Sequence, residues 1–222
     1  MGFLITFEGI EGCGKTTQLA MIERVAADLP VHYLFTVEPG GTPLGIKIRE
    51  LLLNRNTIII SGEAELLLFT AARIQHMQDV IIPALDAGKI VFCDRFTDAT
   101  LAYQGHGRKL DLSLIATINT FATAGRSPDL TILFDIPPEI GLKRAKARIS
   151  GHRNGQSAED RFEQEDMAFH QAIREGYLSL AGKEPQRFRI IDASRAVEAI
   201  HLDVLGILLP WLESKKNGSS RN

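Results

Sequence analysis

One octapeptide limits what this chain can fold into more than any other stretch: Gly9-Ile10-Glu11-Gly12-Cys13-Gly14-Lys15-Thr16. Its spacing, G-x-x-x-x-G-K-[ST], is that of a loop whose glycines let successive backbone N–H groups turn inward onto phosphate oxygens. Lys15 adds a point charge for the outer phosphates, the Thr16 hydroxyl suits Mg²⁺, and Thr17 completes the candidate nucleotide-binding set. The helix that starts near Lys15 points its positive end at the same place. With Gly at about 7% of residues, the fixed positions recur by chance in roughly one chain in a hundred of this length. Here an apolar run, Phe3–Glu8, precedes the loop and a helical pattern, Lys15–Asp28, follows it. The reading is strand, phosphate loop, helix.

The rest of the chain repeats that alternation, the pattern of a parallel sheet covered on both faces. Strands are expected at Phe3–Glu8, Val31–Val37, Lys89–Asp94, Leu130–Asp135 and Phe188–Asp192, which are apolar nearly throughout. Helices are expected at Lys15–Asp28, Pro43–Leu53, Gly62–Ala87, Asp111–Ala124, Pro138–Arg148, Ala158–Ala181 and Ala196–Leu212. The stretch Ile149–Ser157 has two glycines and little to bury, so it reads as an exposed lid loop between two helices. The 222 residues, 45% hydrophobic and 23% charged, fit one α/β domain over 1–212, with a frayed polar tail at 213–222.

Several function classes drop out on composition. The net charge of −2, without a block of like charges, gives no long-range attraction to nucleic acid or an anionic membrane. The apolar stretch Leu202–Leu212 is too short to span a bilayer and contains Asp203 and Pro210. The two cysteines, Cys13 and Cys93, form no C-x-x-C pair, and the N-terminus has no basic, long-apolar leader pattern. A reduced, cytoplasmic setting is the expectation. The six histidines show no paired metal spacing, so no structural zinc is expected.

A phosphate loop alone does not separate a GTPase, an ATPase and a small-molecule kinase. No N-K-x-D guanine-reading motif occurs, and the D-x-x-G match at Asp203–Gly206 falls in a C-terminal helical pattern. The third strand ends Phe92-Cys93-Asp94-Arg95. Asp94 fits the carboxylate on the Mg²⁺ side, and Arg95 could clamp a second phosphate, which a simple hydrolase does not need. The plain alternative is an Asp capping the next helix beside a solvated Arg. Glu11 is a carboxylate inside a loop built for phosphates, unfavourable unless it faces a hydroxyl, a cation or water.

In order along the chain, EGIEGCGKTT, TVEPGGTPLG, FTAARIQH, CDRFTDATLAYQG, and LKRAKAR followed by DRFEQED resemble the bacterial thymidylate kinases (dTMP kinases). The resemblance runs from Phe3 to about Ala193. It implies the P-loop nucleoside monophosphate kinase fold, a five-stranded parallel sheet flanked by helices. It also implies a homodimer and the transfer of the γ-phosphoryl of ATP to dTMP, giving dTDP and ADP toward dTTP. By matching position, Phe69 would stack on the thymine ring and Arg73, four residues on and so on the same helical face, would meet the base edge. Tyr103 would lie beneath the deoxyribose, leaving no room for a 2′-hydroxyl, with Thr100 and Gln104 flanking the base. Glu11 would approach the 3′-hydroxyl or the metal shell, and Glu163 would sit near nucleotide and metal. From the residues alone, Phe69 reads as core, Arg73 as an exposed helix cation and Tyr103 as half-buried packing.

Members of that family differ in where they carry the arginine that meets the transferred phosphoryl group. No basic residue precedes Lys15 in this loop, whereas the lid side reads Leu142-Lys143-Arg144-Ala145-Lys146-Ala147-Arg148, then Arg153. This resembles the lid-arginine type, with Arg148 the best match. Val37 stands where many members have Arg, so Arg49 or Arg95 must supply the missing cation, and Phe96 stands where Tyr or His is usual. The rival readings are another P-loop nucleoside or nucleotide kinase and, from a different class, a regulatory protein that holds nucleotide without turnover.

Overall fold

The computed structural model describes residues 2–26, 32–53, 59–151 and 161–219, with the side chains of 148–151 and 216–219 outside the description. Five strands, β1 (Phe3–Glu8), β2 (Tyr33–Val37), β3 (Ile90–Asp94), β4 (Leu130–Asp135) and β5 (Phe188–Asp192), form one parallel sheet in the order β2-β3-β1-β4-β5. Alternate residues of the central strands fall into different clusters. Ile5, Phe7, Ile90 and Phe92 join one buried cluster, and Leu4, Val91 and Cys93 join another. Side chains of a strand alternate between faces, so both faces of the sheet are covered, which is why these strands read as continuous apolar runs. The register pairs Phe7 with Asp94, so the carboxyl ends of β1 and β3 lie together and bring the glycine loop beside Asp94 and Arg95. That edge is where open α/β sheets bind ligands.

The helices are α1 (Lys15–Ala26), α2 (Pro43–Leu53), α3 (Gly62–His76), α4 (Ile82–Asp86), α5 (Thr97–Thr100), α6 (Leu112–Ala122), α7 (Pro138–Gly151), α8 (Met167–Lys183) and α9 (Val197–Ser219). The stretch expected as one helix from Gly62 to Ala87 is continuous but widens into a π turn at Met77–Ile81. Pro83 has no N–H for the carbonyl four residues back and would clash with it, and the widened turn just before accommodates it. The expected helix over Ala158–Ala181 is divided instead. A 3₁₀ turn at Arg161–Gln164 leads to Asp166, whose side chain accepts from Phe169 N at 2.7 Å and starts α8 afresh. α9 continues past Leu212 to Ser219, so 213–219 of the expected frayed tail is helical. The segment Thr97–Gly107, not expected to be helical, forms α5 and a second π turn, Leu101–Gly107. Of the expected lid loop, 149–151 is instead the last turn of α7, and 152–157 lies outside the described residues, as does 158–160 at the start of the expected helix.

Candidate active site

A cavity of about 690 Å³ opens at the carboxyl edge of the sheet, and every residue from Glu11 to Thr17 lines it. Gly12, at φ 69°, could carry no side chain: a Cβ there would lie 1.9 Å from the Gly141 carbonyl oxygen in the first turn of α7. Gly14, at φ 94°, has open space around it and is needed for its backbone conformation alone. Gly9 and Ile10, the first residues of the loop and expected among the nucleotide contacts, are buried and do not line the cavity.

The two expected phosphate cations rest on the protein itself. Lys15 Nζ donates to the carbonyls of Gly9 (2.8 Å) and Ile10 (3.3 Å) and to Cys13 Sγ (3.3 Å). Arg95 has a left-handed backbone, φ 70°, and its N–H bonds Phe7 O at 3.0 Å. Its guanidinium reaches Gly9 O at 3.1 Å and Glu11 Oε1 at 3.1 Å and lies 4.8 Å over the Tyr103 ring. Thr16 Oγ1 and Asp94 Oδ2 stand 3.5 Å apart in the cavity wall, too far for a strong hydrogen bond. Glu163, in the 3₁₀ turn, is buried and lines the same space.

Glu11 accepts from the Tyr103 hydroxyl as well as from Arg95. Burial pushes its carboxyl up, but His170, Arg95, Tyr103 and Lys15 together outweigh that and hold it down at about 2. Glu8, one residue before the loop, shows the opposite balance. Burial, then the nearby Asp98, pushes its carboxyl up to about 8, although it accepts from Phe96 N (2.8 Å) and the Tyr177 hydroxyl (2.7 Å).

At the other end of the cavity stand Phe69, Arg73, Thr100, Tyr103 and Gln104, all five of the ring and polar residues expected around the acceptor base. Arg73 corrects the reading from residues alone, since it is 2% exposed rather than solvated. A guanidinium has five N–H groups. Four of Arg73's are engaged, by Glu38 (2.7 Å), Thr100 (2.9 Å), Asn119 (2.8 Å) and the Phe96 carbonyl (2.9 Å). His76 Nδ1 lies 3.0 Å from the other Glu38 oxygen, and Gln104 donates to the buried Glu65 at 2.7 Å. Glu38, His76, Asn119 and Glu65 were not among the expected site residues. Glu38 and His76 lie inside two of the quoted motifs, whereas Glu65 and Asn119 lie outside all of them.

Arg144 donates to the carbonyls of Ala193 (2.6 Å) and Ser194 (2.7 Å) and lines the cavity near Arg195 and Val197. The side chain of Arg148 lies outside the described residues, as does Arg153.

A sequence profile of the family described as "Thymidylate kinase" matches residues 7–204. The chain belongs to the thymidylate kinase family. Its similarity to curated thymidylate kinases spans almost whole chains. The one from Syntrophus aciditrophicus is 52% identical over 204 residues, 92% of this chain and 93% of the relative. The one from Geobacter sp. (strain M21) is 53% identical over 198 residues, 89% and 87%. Among solved structures, the thymidylate kinase of Ehrlichia chaffeensis superposes with a TM-score of 0.72 at 34% identity, covering 93% of this chain and 98% of that one. Family membership and the strand–loop–helix at Phe3–Ala26 agree on a P-loop kinase fold.

Proposed function

We infer that the protein transfers the γ-phosphoryl group of ATP to dTMP, giving dTDP and ADP. Family membership supports the reaction. The observation that carries the reading in this chain is that one cavity joins the glycine loop to the Phe69–Arg73–Tyr103 end, with Arg95 between them. Such a space holds donor and acceptor phosphates within one enclosure, where positioning and charge neutralisation do most of the catalytic work.

Lys15 leaves the loop carbonyls to meet the outer donor phosphates, and Arg95 leaves Gly9 O to hold the acceptor phosphate. Arg49, which bonds the Pro39 carbonyl at 3.0 Å on the same wall, stands in for the cation that Val37 does not provide. The Phe69 ring covers the base, Thr100 and Gln104 bound it, and Arg73 offers to the base edge the N–H that has no partner among the described residues. Tyr103 packs under the sugar, and Glu11 faces its hydroxyl side. Arg148, on the last part of α7, is assigned to the transferred phosphoryl group; a normal kcat in Arg148→Ala would remove it from that role.

The Thr16 hydroxyl and Asp94 carboxylate are hard oxygen donors, and no group of three or more His, Cys, Asp or Glu side chains suited to a metal occurs among the described residues. Two oxygen ligands beside substrate phosphates fit Mg²⁺, which keeps several waters, and Glu163 would complete its surroundings. Bound there, Mg²⁺ would supply charge neutralisation at the donor phosphates.

We also infer a homodimer through the neighbouring faces of α3 and α6, where Leu67, Leu114 and Phe121 are exposed. Sedimentation of Phe121→Asp as a dimer would overturn that surface. A cytoplasmic location is supported by two free, buried thiols, Cys13 and Cys93, and cell fractionation tests it.

The deciding experiment follows ADP release with ATP and Mg²⁺ against dTMP, dUMP, UMP, dCMP and AMP. Highest kcat/KM with dTMP is expected. A preference for another acceptor, or no ADP with any, would overturn the reading.

A further inference from the structure

Helix α8 brings two buried polar side chains to the glycine loop, His170 and, two turns later, Tyr177. Tyr177 is accounted for, since its hydroxyl donates to Glu8 at 2.7 Å and accepts from Arg95 Nη1 at 3.4 Å. His170 is not. It is 0% exposed, and neither ring nitrogen has a hydrogen-bond partner among the described residues. The same holds for one oxygen of Glu11, Oε2. These atoms face each other, with His170 Nδ1 3.3 Å from Glu11 Oε2. On its other side the imidazole meets the Phe169 ring edge-on, with centroids 5.6 Å apart. Buried polar atoms are nearly always paired, so two that stand within reach of each other without the alignment of a hydrogen bond require a reason.

We propose that His170 is a positioning residue that fixes the Glu11 carboxylate, through Oε2, in the orientation the acceptor nucleotide meets. The inference rests on the reading of Glu11 as an acceptor-side group. Glu11 has three polar supports on three separate elements. Arg95 and Tyr103 both bond Oε1, and both line the cavity. Each is assigned to the substrate, Arg95 to its phosphate and Tyr103 to its sugar. When Arg95 turns to the acceptor phosphate, Oε1 loses its cationic holder while the carboxylate stays in a loop built for other anions. His170 does not line the cavity, so no substrate atom competes for it. It is a support that no substrate group contests. A charge-assisted N–H···O bond spans about 2.7–2.9 Å, so a shift of a few tenths of an ångström by Glu11 completes the pair.

The test is a double-mutant cycle between His170→Phe, which keeps the ring and removes both nitrogens, and Glu11→Gln, with KM and kcat measured for each nucleotide. His170→Phe is expected to lower kcat/KM for dTMP about tenfold, a loss in line with one hydrogen bond to a charged group, with KM for ATP within about twofold. His170→Asn, which returns a donor near the Nδ1 position, should recover most of the loss. In the Glu11→Gln background, His170→Phe should do little more. Should His170→Phe fail to fold, the near-isosteric pair His170→Leu and His170→Asn isolates the donor in the same way. Wild-type kinetics in His170→Phe, equal losses toward both nucleotides, additivity in the cycle, or identical behaviour of the Leu and Asn variants would each overturn the proposal. An impaired Glu11→Gln beside an unimpaired His170→Phe sinks His170 alone. A Glu11→Gln enzyme with wild-type kinetics removes Glu11 from the acceptor site and His170 with it.

Discussion

At the end of the cavity lined by Arg73 and Thr100, polar side chains satisfy one another: Arg73 with Glu38, Glu38 with His76, and His76 with Thr36 at 2.6 Å. At the glycine-loop end, Lys15 and Arg95 lean on backbone carbonyls of the loop that they would leave for a substrate. The difference lies in what remains when a partner leaves. Pulling Lys15 from Gly9 O exposes a neutral carbonyl at the cavity edge. Pulling Arg73 from Glu38 strands a buried carboxylate, which Arg73 and His76 hold below its usual range against burial. One end is therefore fixed before any nucleotide arrives, and the other exchanges its contacts with each turnover.

The sharpest way to break this comparison is to remove one cation from each end. Lys15→Ala should lower kcat by up to ~10³-fold, the scale seen for a single electrostatic donor at a transition state, while the melting temperature stays within a few degrees. Arg73→Ala should do the converse in kind, removing about 3 kcal/mol of stability because Glu38 is left buried and unpaired. For a chain of this size that lowers Tm by roughly 10 °C, readable by calorimetry. Were Lys15→Ala the unstable variant and Arg73→Ala the stable one, the contrast would be wrong.

Tyr103 sits where the ends meet, and its hydroxyl belongs to the loop side through Glu11. Tyr103→Phe keeps the ring and should cost about tenfold in kcat/KM for dTMP, as expected for one bond to a charged acceptor. The preference for deoxyribose over ribose should survive Tyr103→Phe and shrink in Tyr103→Ala. Equal ribo-to-deoxy ratios in all three proteins would leave the ring as packing only.

The smallest effect is expected under the loop, at Glu8. Its folded pKa, about 8, lies above the ordinary 4.5 because of burial and Asp98, so the folded protein holds a proton that the unfolded chain has released between those values. Its stabilising contribution is then complete below about pH 4.5 and is lost as pH rises toward 8. One proton changes stability by at most ~1.4 kcal/mol per pH unit, so about 1 kcal/mol should disappear between pH 6 and pH 7. Urea melts of Glu8→Gln at the two pH values should lack most of that loss; an unchanged pH dependence would assign the titration elsewhere.

What could be read from sequence divides along the same line. The loop end was legible because its chemistry is contiguous: the glycines, Lys15 and Thr16 are one stretch, and Asp94-Arg95 close an apolar run. All five strands were legible because burial on both faces leaves an unbroken apolar signal. The fixed end was not, because its pairs join residues far apart in sequence: Arg73 with Asn119, Gln104 with Glu65. No local period marks such partners, and a lone Arg on a helix looks solvated. The resemblance placed Arg73 at the base but could not show that four of its donors are already engaged. Asp166 was a readable helix cap that the longer helical pattern concealed.

An i→i+5 turn such as Leu101–Gly107, closed by Arg108 N on Tyr103 O at 2.8 Å, holds one residue more than an α turn between the same ends. Deleting a residue inside it would let the backbone relax to ordinary helical geometry, with α5 and α6 kept in place. Side chains inside the turn would then be redistributed, by up to the roughly 100° that separates neighbours around a helix axis, carrying Tyr103 or Gln104 away from the cavity wall. A lineage could thus pass through a single-codon loss here and still make an abundant, well-folded protein that had forgotten its substrate.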